Sequence, residues 1–383
     1  MHFDLSEDHR LLQESVRAFA RAKILPHAAS FDREGHFPRA LLGELAQMGL
    51  MGVYVPEDYG GAGLDVLAYI VAMEELSAAC ASVGVTVSVQ NSLTIDPIQT
   101  FGTEPQKRRF LVPLAQGKAI GCFALSEPGT GSDAANQQTV CVPDGDGWIL
   151  NGTKNFITNA PIADTIVVFA MSDKSLGNRG ICAFVLDMRT PGVSCAPKEH
   201  KLGIRASPCS SVIFEDVRVG PDAMLGRVGE GFKVAMKTLD GGRIGIAAQA
   251  LGIARQAYEE ALQYAQDRQA FGAPISALQA IQHKLADMAM ELDAARLLIH
   301  RAAWLKDQGQ PFSKEAAMAK LYASEMATRV THQALQVHGG YGYLEDFQAA
   351  RHSRDARITE IYEGTSEIQR LVVAAATLKE LGG

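Results

Sequence analysis

The sequence predicts a mainly helical protein with one β domain set between two helical ones. Three observations carry this: apolar residues at helical spacing towards both ends, short β-branched runs between turn residues in the middle, and a length of 383 residues, which suits two or three domains. The division read from these changes of rhythm is 1–118 helical, 119–225 β, and 226–383 helical.

The first segment opens at Ser6, followed by Glu7 and Asp8, because a hydroxyl caps free amides and early acids suit the positive end of a helix dipole. Leu12, Val16, Phe19 and Ala20 then recur at helical spacing until Pro26. Pro38 opens a second helix with Leu41, Leu42, Leu45 and Met48 on one face and Gly49 near its end. After Gly60, Gly61 and Gly63, a third helix runs over about residues 67–79.

Near Gly121 the period changes. Residues 139–142 and 148–150 flank Pro143-Asp144-Gly145-Asp146-Gly147, a hairpin signal, and 165–170, 181–186 and 211–214 are further strands. Beyond Gly231 proline is scarce and alanine abundant. Helices are predicted over 251–268, 279–308 and 316–338, with breaks at Gly272-Ala273-Pro274 and Gln310-Pro311, and such lengths pack as an antiparallel bundle.

Composition removes several functions. At 47% hydrophobic residues the chain can bury a large core, which excludes wholesale disorder. Lys and Arg total 36 against 43 Asp and Glu, so no positive excess exists to neutralise a nucleic-acid backbone. The acidic start, without a basic leader or apolar signal stretch, and the lack of any run near the ~20 apolar residues of a membrane span predict a soluble, cytoplasmic protein. Cys80, Cys122, Cys141, Cys182, Cys195 and Cys209 stand singly, so buried free thiols are expected and no metal site is predicted.

Three segments carry chemistry-bearing residues. Ser126-Glu-Pro-Gly-Thr-Gly-Ser-Asp-Ala134 formally contains G-x-G-x-x-A, but a dinucleotide turn must open a helix, and the residues beyond this one are strand-like through Val140 and Val142. The loop is either a surface turn or the polar edge of a flat cofactor beside the apolar strand Phe123-Ala124-Leu125. His338-Gly339-Gly340-Tyr341-Gly342 is a helix C-cap, or a backbone open to a ligand phosphate; no G-x-S-x-G elbow accompanies it. In Ile361-Tyr-Glu-Gly-Thr-Ser-Glu-Ile-Gln369, Thr365 or Ser366 can cap the last helix. Glu363 is then a loop carboxylate, either solvated or pointing into a cleft.

Together, in order, and with Arg268-Gln-Ala-Phe-Gly-Ala-Pro274, these segments resemble the acyl-CoA dehydrogenase family, and within it the short-chain (butyryl-CoA) branch. The likeness runs essentially end to end. It implies a helical N-terminal domain, a central β-barrel and a C-terminal four-helix bundle. It also implies FAD as cofactor, an acyl-CoA thioester as substrate, an electron-transferring flavoprotein as electron acceptor, and a homotetramer built as a dimer of dimers.

The implied reaction is α,β-desaturation, which needs a base at the carbon beside the thioester, a flavin face against the next carbon, and donors on the carbonyl oxygen. A carboxylate serves as that base when burial raises its proton affinity. The resemblance implies Glu363, with its own backbone amide and a flavin ribityl hydroxyl on the carbonyl oxygen. Some relatives carry the base on a helix immediately before an Arg; here Leu239-Asp240-Gly241-Gly242-Arg243 has Gly242 at that place, which returns the role to Glu363.

Asp240 and Arg243 resemble contacts to coenzyme A, although an i, i+3 ion pair is an equal reading of the residues themselves. Ser132, Tyr362 and Gly364 complete the implied substrate set. Phe123, Ala124, Leu125, Ser126, Gly131 and Ser132 are implied along the flavin, with Phe156, Ile157 and Thr158 on its other side, where the branch often has Trp at the first position. Arg268, Gln279, Gln336, Val337, His338, Gly339 and Gly340 are implied to reach a neighbouring subunit's FAD. Thr365, Ser366 and Glu367, at a helix start, suit phosphate or ribose. Two other readings stand beside this one: an acyl-CoA oxidase or flavin monooxygenase on the same fold, and a non-catalytic scaffold holding FAD or CoA.

Overall fold

The computed structural model describes residues 4–382. Helix α1 (Glu7–Lys23) is capped by Ser6, whose hydroxyl accepts from the His9 amide at 3.3 Å. Helix α2 (Ala28–Glu34) was not foreseen and stops at Gly35 in the left-handed region; α3 (Leu41–Gln47) follows Pro38. Helix α4 (Val66–Ala79), capped by Asp65, is mostly apolar and buried around its whole circumference, its two glutamates included. α5 (Ala81–Ser88), a π-helical stretch Val89–Ile95 and α6 (Asp96–Phe101) continue from it. The short α7 (Glu104–Gln106) and α8 (Val112–Ala115) close the segment.

The middle segment is a seven-stranded half-barrel: β1 (Gly121–Ala124), β2 (Val140–Asp144), β3 (Gly147–Thr158), β4 (Thr165–Met171), β5 (Ile181–Asp187), β6 (Val193–Cys195) and β7 (Cys209–Val219). Its order is β1-β4-β2-β3-β7-β6, with β5 also paired to β4. The expected hairpin is β2–β3, turning at Gly145 with positive φ. β4 is buried on both faces: Ile166, Val168 and Ala170 enter the sheet's own core, while Val167, Phe169 and Met171 join the core of the helices. The sheet is therefore fixed against the helical part by alternate side chains of one strand.

The C-terminal helices are α9 (Gly231–Asp267), α10 (Gln279–Asp307), α11 (Ser313–His338), α12 (Gln348–Ala356) and α13 (Ser366–Gly382). α9 begins at Gly231, well before the 251 read from the sequence. The intervening glycines look like breakers but are packing residues. A Cβ on Gly245 would lie 2.4 Å from the Tyr69 hydroxyl, and one on Gly252 would lie 2.4 Å from the Glu74 carbonyl oxygen. Close approach of α4 offsets the ~1 kcal/mol that a glycine costs inside a helix.

One hydrophobic core runs from Val16 of α1 through α4 and α9 to Val337 of α11, so the two helical segments share an interior. Buried Glu74 and Glu75 of α4 stitch it electrostatically, pairing with Arg255 at 2.8 Å each, with Arg296 at 3.0 Å and with Arg17 at 2.7 Å. All six cysteines are free. Five are buried, but Cys195 is exposed, against expectation, because it lies on the edge strand β6. Among the described residues, no helix is long and apolar enough to cross a membrane.

Candidate active site

Glu363 lies between a 3₁₀ turn (Arg357–Glu360) and α13, whose start is capped by the Thr365 hydroxyl accepting from the Ile368 amide at 3.4 Å. Glu363 and Gly364 both have left-handed backbones, with φ of +52° and +89°. That conformation costs a non-glycine residue about 1–3 kcal/mol and persists only where its surroundings impose it. Here the Gln369 side-chain amide donates to both carbonyls, at 3.1 Å and 2.9 Å, and the Lys320 ammonium donates to that of Gly364 at 2.7 Å.

The turn aims the Glu363 carboxylate at α9. A Cβ at Gly242 would lie 2.2 Å from Glu363 Oε2 and 2.8 Å from Leu93 Cδ2. Position 242 and the carboxylate thus share one space, so the absence of a side chain at 242 is what admits the glutamate. Oε2 is sealed from solvent and has no hydrogen-bond partner. Burial raises the acid to about 7, with Lys320 and Arg243 opposing the rise. An unpaired carboxyl poised near neutrality suits proton abstraction. Among the described residues, the backbone N–H of Glu363 meets no acceptor and remains free to donate.

Arg243 is buried and pairs with Asp240 at 2.6 Å, so the intrahelical ion pair is present; Asp240 also accepts from the Ser313 hydroxyl. Tyr362 donates to the Gln249 side chain. Leu93, Tyr69, Gln249, Lys320 and Gln369 were not singled out from the sequence. For Lys320 a signal existed: it occupies the apolar stripe of α11 between Ala316 and Ala323, where a lysine has no solvent to reach.

A second constellation lies on the β domain. Phe123, Ala124 and Leu125 are buried, Ser126 accepts from the Asn155 amide at 2.8 Å, and the loop beyond leaves Gly131 and Ser132 exposed at its tip. The loop is pinned from within by Glu127, which accepts from the amides of Gln138 at 2.6 Å and Thr139 at 3.0 Å and pairs with Lys154 at 2.8 Å. No helix opens there, in agreement with the rejection of a dinucleotide turn. Across from it, Phe156 stands 66% exposed at φ +58°, on a register shift of β3 against β7, with Ile157 buried and Thr158 half-buried behind it. A strained backbone presenting an uncovered ring is costly unless something flat covers it. This platform, the adjacent strand backbone and the open space at Gly129 and Gly131 fit a flavin.

The third constellation stands apart. Arg268, Val337, His338, Gly339 and Gly340 line an open cleft of about 420 Å³, with the Arg268 guanidinium 5.6 Å from the Tyr341 ring centre and the His338 ring stacked on Tyr264 at 4.5 Å. Gln279 and Gln336 are not among its lining residues, and neither is Glu363 nor any residue of the β domain. Ser366 is buried, with an unpartnered hydroxyl, while Glu367 faces solvent. The fold thus joins Glu363 with Gly242, Arg243 and Lys320, but does not bring the Arg268–His338 cleft to them. Among the described residues, no group of three His, Cys, Asp or Glu is placed to hold a metal.

Comparison with known proteins places each of the three segments in one family. Residues 6–118, 122–217 and 229–378 match the family descriptions "Acyl-CoA dehydrogenase, N-terminal domain", "middle domain" and "C-terminal domain". The chain is 58% identical over 376 residues to the mitochondrial short-chain specific acyl-CoA dehydrogenase of Bos taurus, covering 98% of this chain and 91% of that protein. It superposes with a TM-score of 0.97 on butyryl-CoA dehydrogenase from Megasphaera elsdenii, at 48% identity over 99% of this chain and 100% of that one. A solved structure described as the electron transferring flavoprotein of Acidaminococcus fermentans, in connection with flavin-based electron bifurcation, contains a chain matching at TM-score 0.97 and 48% identity, with 99% and 100% covered.

Proposed function

The chain belongs to the acyl-CoA dehydrogenase family, and from that premise we propose that it converts short-chain acyl-CoA thioesters to trans-2-enoyl-CoA, with Glu363 as the base. One observation carries the assignment: a carboxylate sealed over Gly242 without a partner and raised to about 7. An α-proton brought to Oε2 meets an acceptor that no internal hydrogen bond occupies. The free Glu363 amide donates to the thioester oxygen as negative charge develops there, lowering the barrier where the charge appears. Arg243 and Lys320 keep positive charge nearby, which offsets the burial of the ionised base.

The FAD of this family would lie along Phe123 to Ser132 and against Phe156 to Thr158, where it supplies the acceptor for the β-hydrogen and its electron pair. Arg268 and Val337 to Gly340 line a cleft that holds neither Glu363 nor any residue of the β domain, which supports the reading that they complete a neighbouring chain's cofactor site in a homotetramer. An electron-transferring flavoprotein is the proposed electron acceptor, and the match to a chain in the Acidaminococcus fermentans structure supports it.

The short-chain preference rests on α9. Gly242, Gly245 and Gln249 lie at i, i+3 and i+7 on one face and meet in turn Glu363 with Leu93, then Tyr69, then the hydroxyl of Tyr362. Tyr69 already fills the space beside Gly245, about 4.5 Å along α9 from Gly242, which supports a short acyl chain. Glu363 also favours desaturation over flavin monooxygenation, which abstracts no α-proton; an acyl-CoA oxidase needs the same base and differs in passing the electrons to oxygen. A scaffold that merely held CoA would gain nothing from a buried, unpaired acid. Glu363→Gln should keep FAD bound and cut turnover of butyryl-CoA by ~10²- to 10⁴-fold, read as anaerobic bleaching of the flavin band. Near-normal bleaching by that variant rejects the reading.

A further inference from the structure

Lys320 is wholly buried in α11, on a helix face rich in alanine, and reaches α13's entry turn rather than a carboxylate. Burying an ammonium is costly, and the usual remedy is a direct ion pair. Lys320 lacks one: its hydrogen bond goes to the carbonyl of Gly364 at 2.7 Å. That carbonyl also accepts from Gln369 at 2.9 Å, and the Gln369 amide bridges to the carbonyl of Glu363 at 3.1 Å. Two donors therefore converge on the pair of peptide units whose left-handed geometry, φ +52° and +89°, directs the carboxylate over Gly242.

We propose that Lys320 is a positioning residue for the reaction: with Gln369 it clamps the Glu363–Gly364 backbone, holding the strained turn that presents the carboxylate, and it stands as a fixed positive charge beside the ionised base. The inference rests on Glu363 being the base. The charges facing Glu363 are Lys320 from α11 and Arg243 from α9, the latter already engaged by Asp240; the phenols of Tyr69 and Tyr362 complete the titratable neighbours. Burial lowers Lys320 to about 8, so it remains mostly charged at neutral pH. Loss of its charge raises the proton affinity of Glu363, because one of two cations opposing that rise is gone.

The test measures holoenzyme carrying Lys320→Met. The expected result is intact FAD content, KM for butyryl-CoA within about threefold, kcat at pH 7 lowered at least ~10-fold, and the acid limb of the kcat profile moved upward by about half a pH unit or more. Gln369→Met removes a clamp donor but no charge, so kcat falls while the acid limb stays. Difference infrared titration of the Glu363 carboxyl, with Glu363→Gln as blank, reads the same upward shift in Lys320→Met without turnover. If Lys320→Met does not take up FAD, Lys320→Gln, which keeps a donor without the charge, is read in its place.

A folded Lys320 variant with parental kcat and an unmoved acid limb overturns the proposal. So does failure of both Lys320 variants to fold while Gln369→Met turns over normally, since Lys320 would then be holding the bundle and not the turn. If Glu363→Gln itself remains active, the base assignment falls instead.

Discussion

Glu127 and Glu363 are the same side chain in two glycine-rich motifs, both withdrawn from solvent, and the fold gives them opposite roles. Glu127 is met by a lysine and two backbone amides. Burial alone would raise its pKa, but the Lys154 charge and these hydrogen bonds outweigh it and hold the acid below the ordinary carboxylate range. Glu363 has one oxygen with no partner at all and is raised to about 7. Full satisfaction makes a buried carboxylate a fastener for its loop; an unfilled acceptor suits the proposed role of base.

The comparison is sharpest under substitution. Lys154→Met strands the Glu127 charge in the interior, and loss of one partner of a buried pair costs ~3–5 kcal/mol; urea unfolding should register it, together with weaker FAD retention. A loss under about 1 kcal/mol, the range of an exposed pair, would mean that the loop does not depend on this one.

Glu363→Gln should act in the other direction. The folded-state pKa of Glu363 lies above its unfolded value near 4.5, so the native state binds the proton more tightly, and stability falls as pH rises through about 4.5 to 7. At pH 8 the glutamine variant should therefore be more stable than the parent, by up to ~3 kcal/mol, and by progressively less towards pH 5. Thermal unfolding at both pH values checks the sign, and a destabilised variant at pH 8 would show that the carboxylate is structurally satisfied after all. Phe156→Ala should have the smallest effect on the fold, within about 0.5 kcal/mol of the parent, because the ring is largely uncovered in its own chain. FAD affinity in that variant should fall roughly tenfold by titration of apoprotein, as loss of a stacking face implies.

Much of this was legible in the linear chain. The cap at Ser6, the β2–β3 turn and the two-sided apolar run of β4 are local patterns with local causes. The family likeness pointed to Glu363 and, through Gly242, away from α9. Other features left no local mark. The packing of α4 against the glycines of α9 shows only in the fold, and Lys154 reads as an ordinary lysine until its surroundings are known to be dry.

By itself, the sequence determined the order of helices, sheet and helices, because period, caps and turn residues act within a few positions of one another; the carboxylate proposed as the base came from its likeness to the family. Only the tertiary structure decided that Gly242 leaves the space Glu363 fills, that Glu127 is neutralised while Glu363 is not, and that the Arg268–His338 cleft stands away from both. Space, charge compensation and dryness at a point depend on which distant segments arrive there, and that is a property of packing.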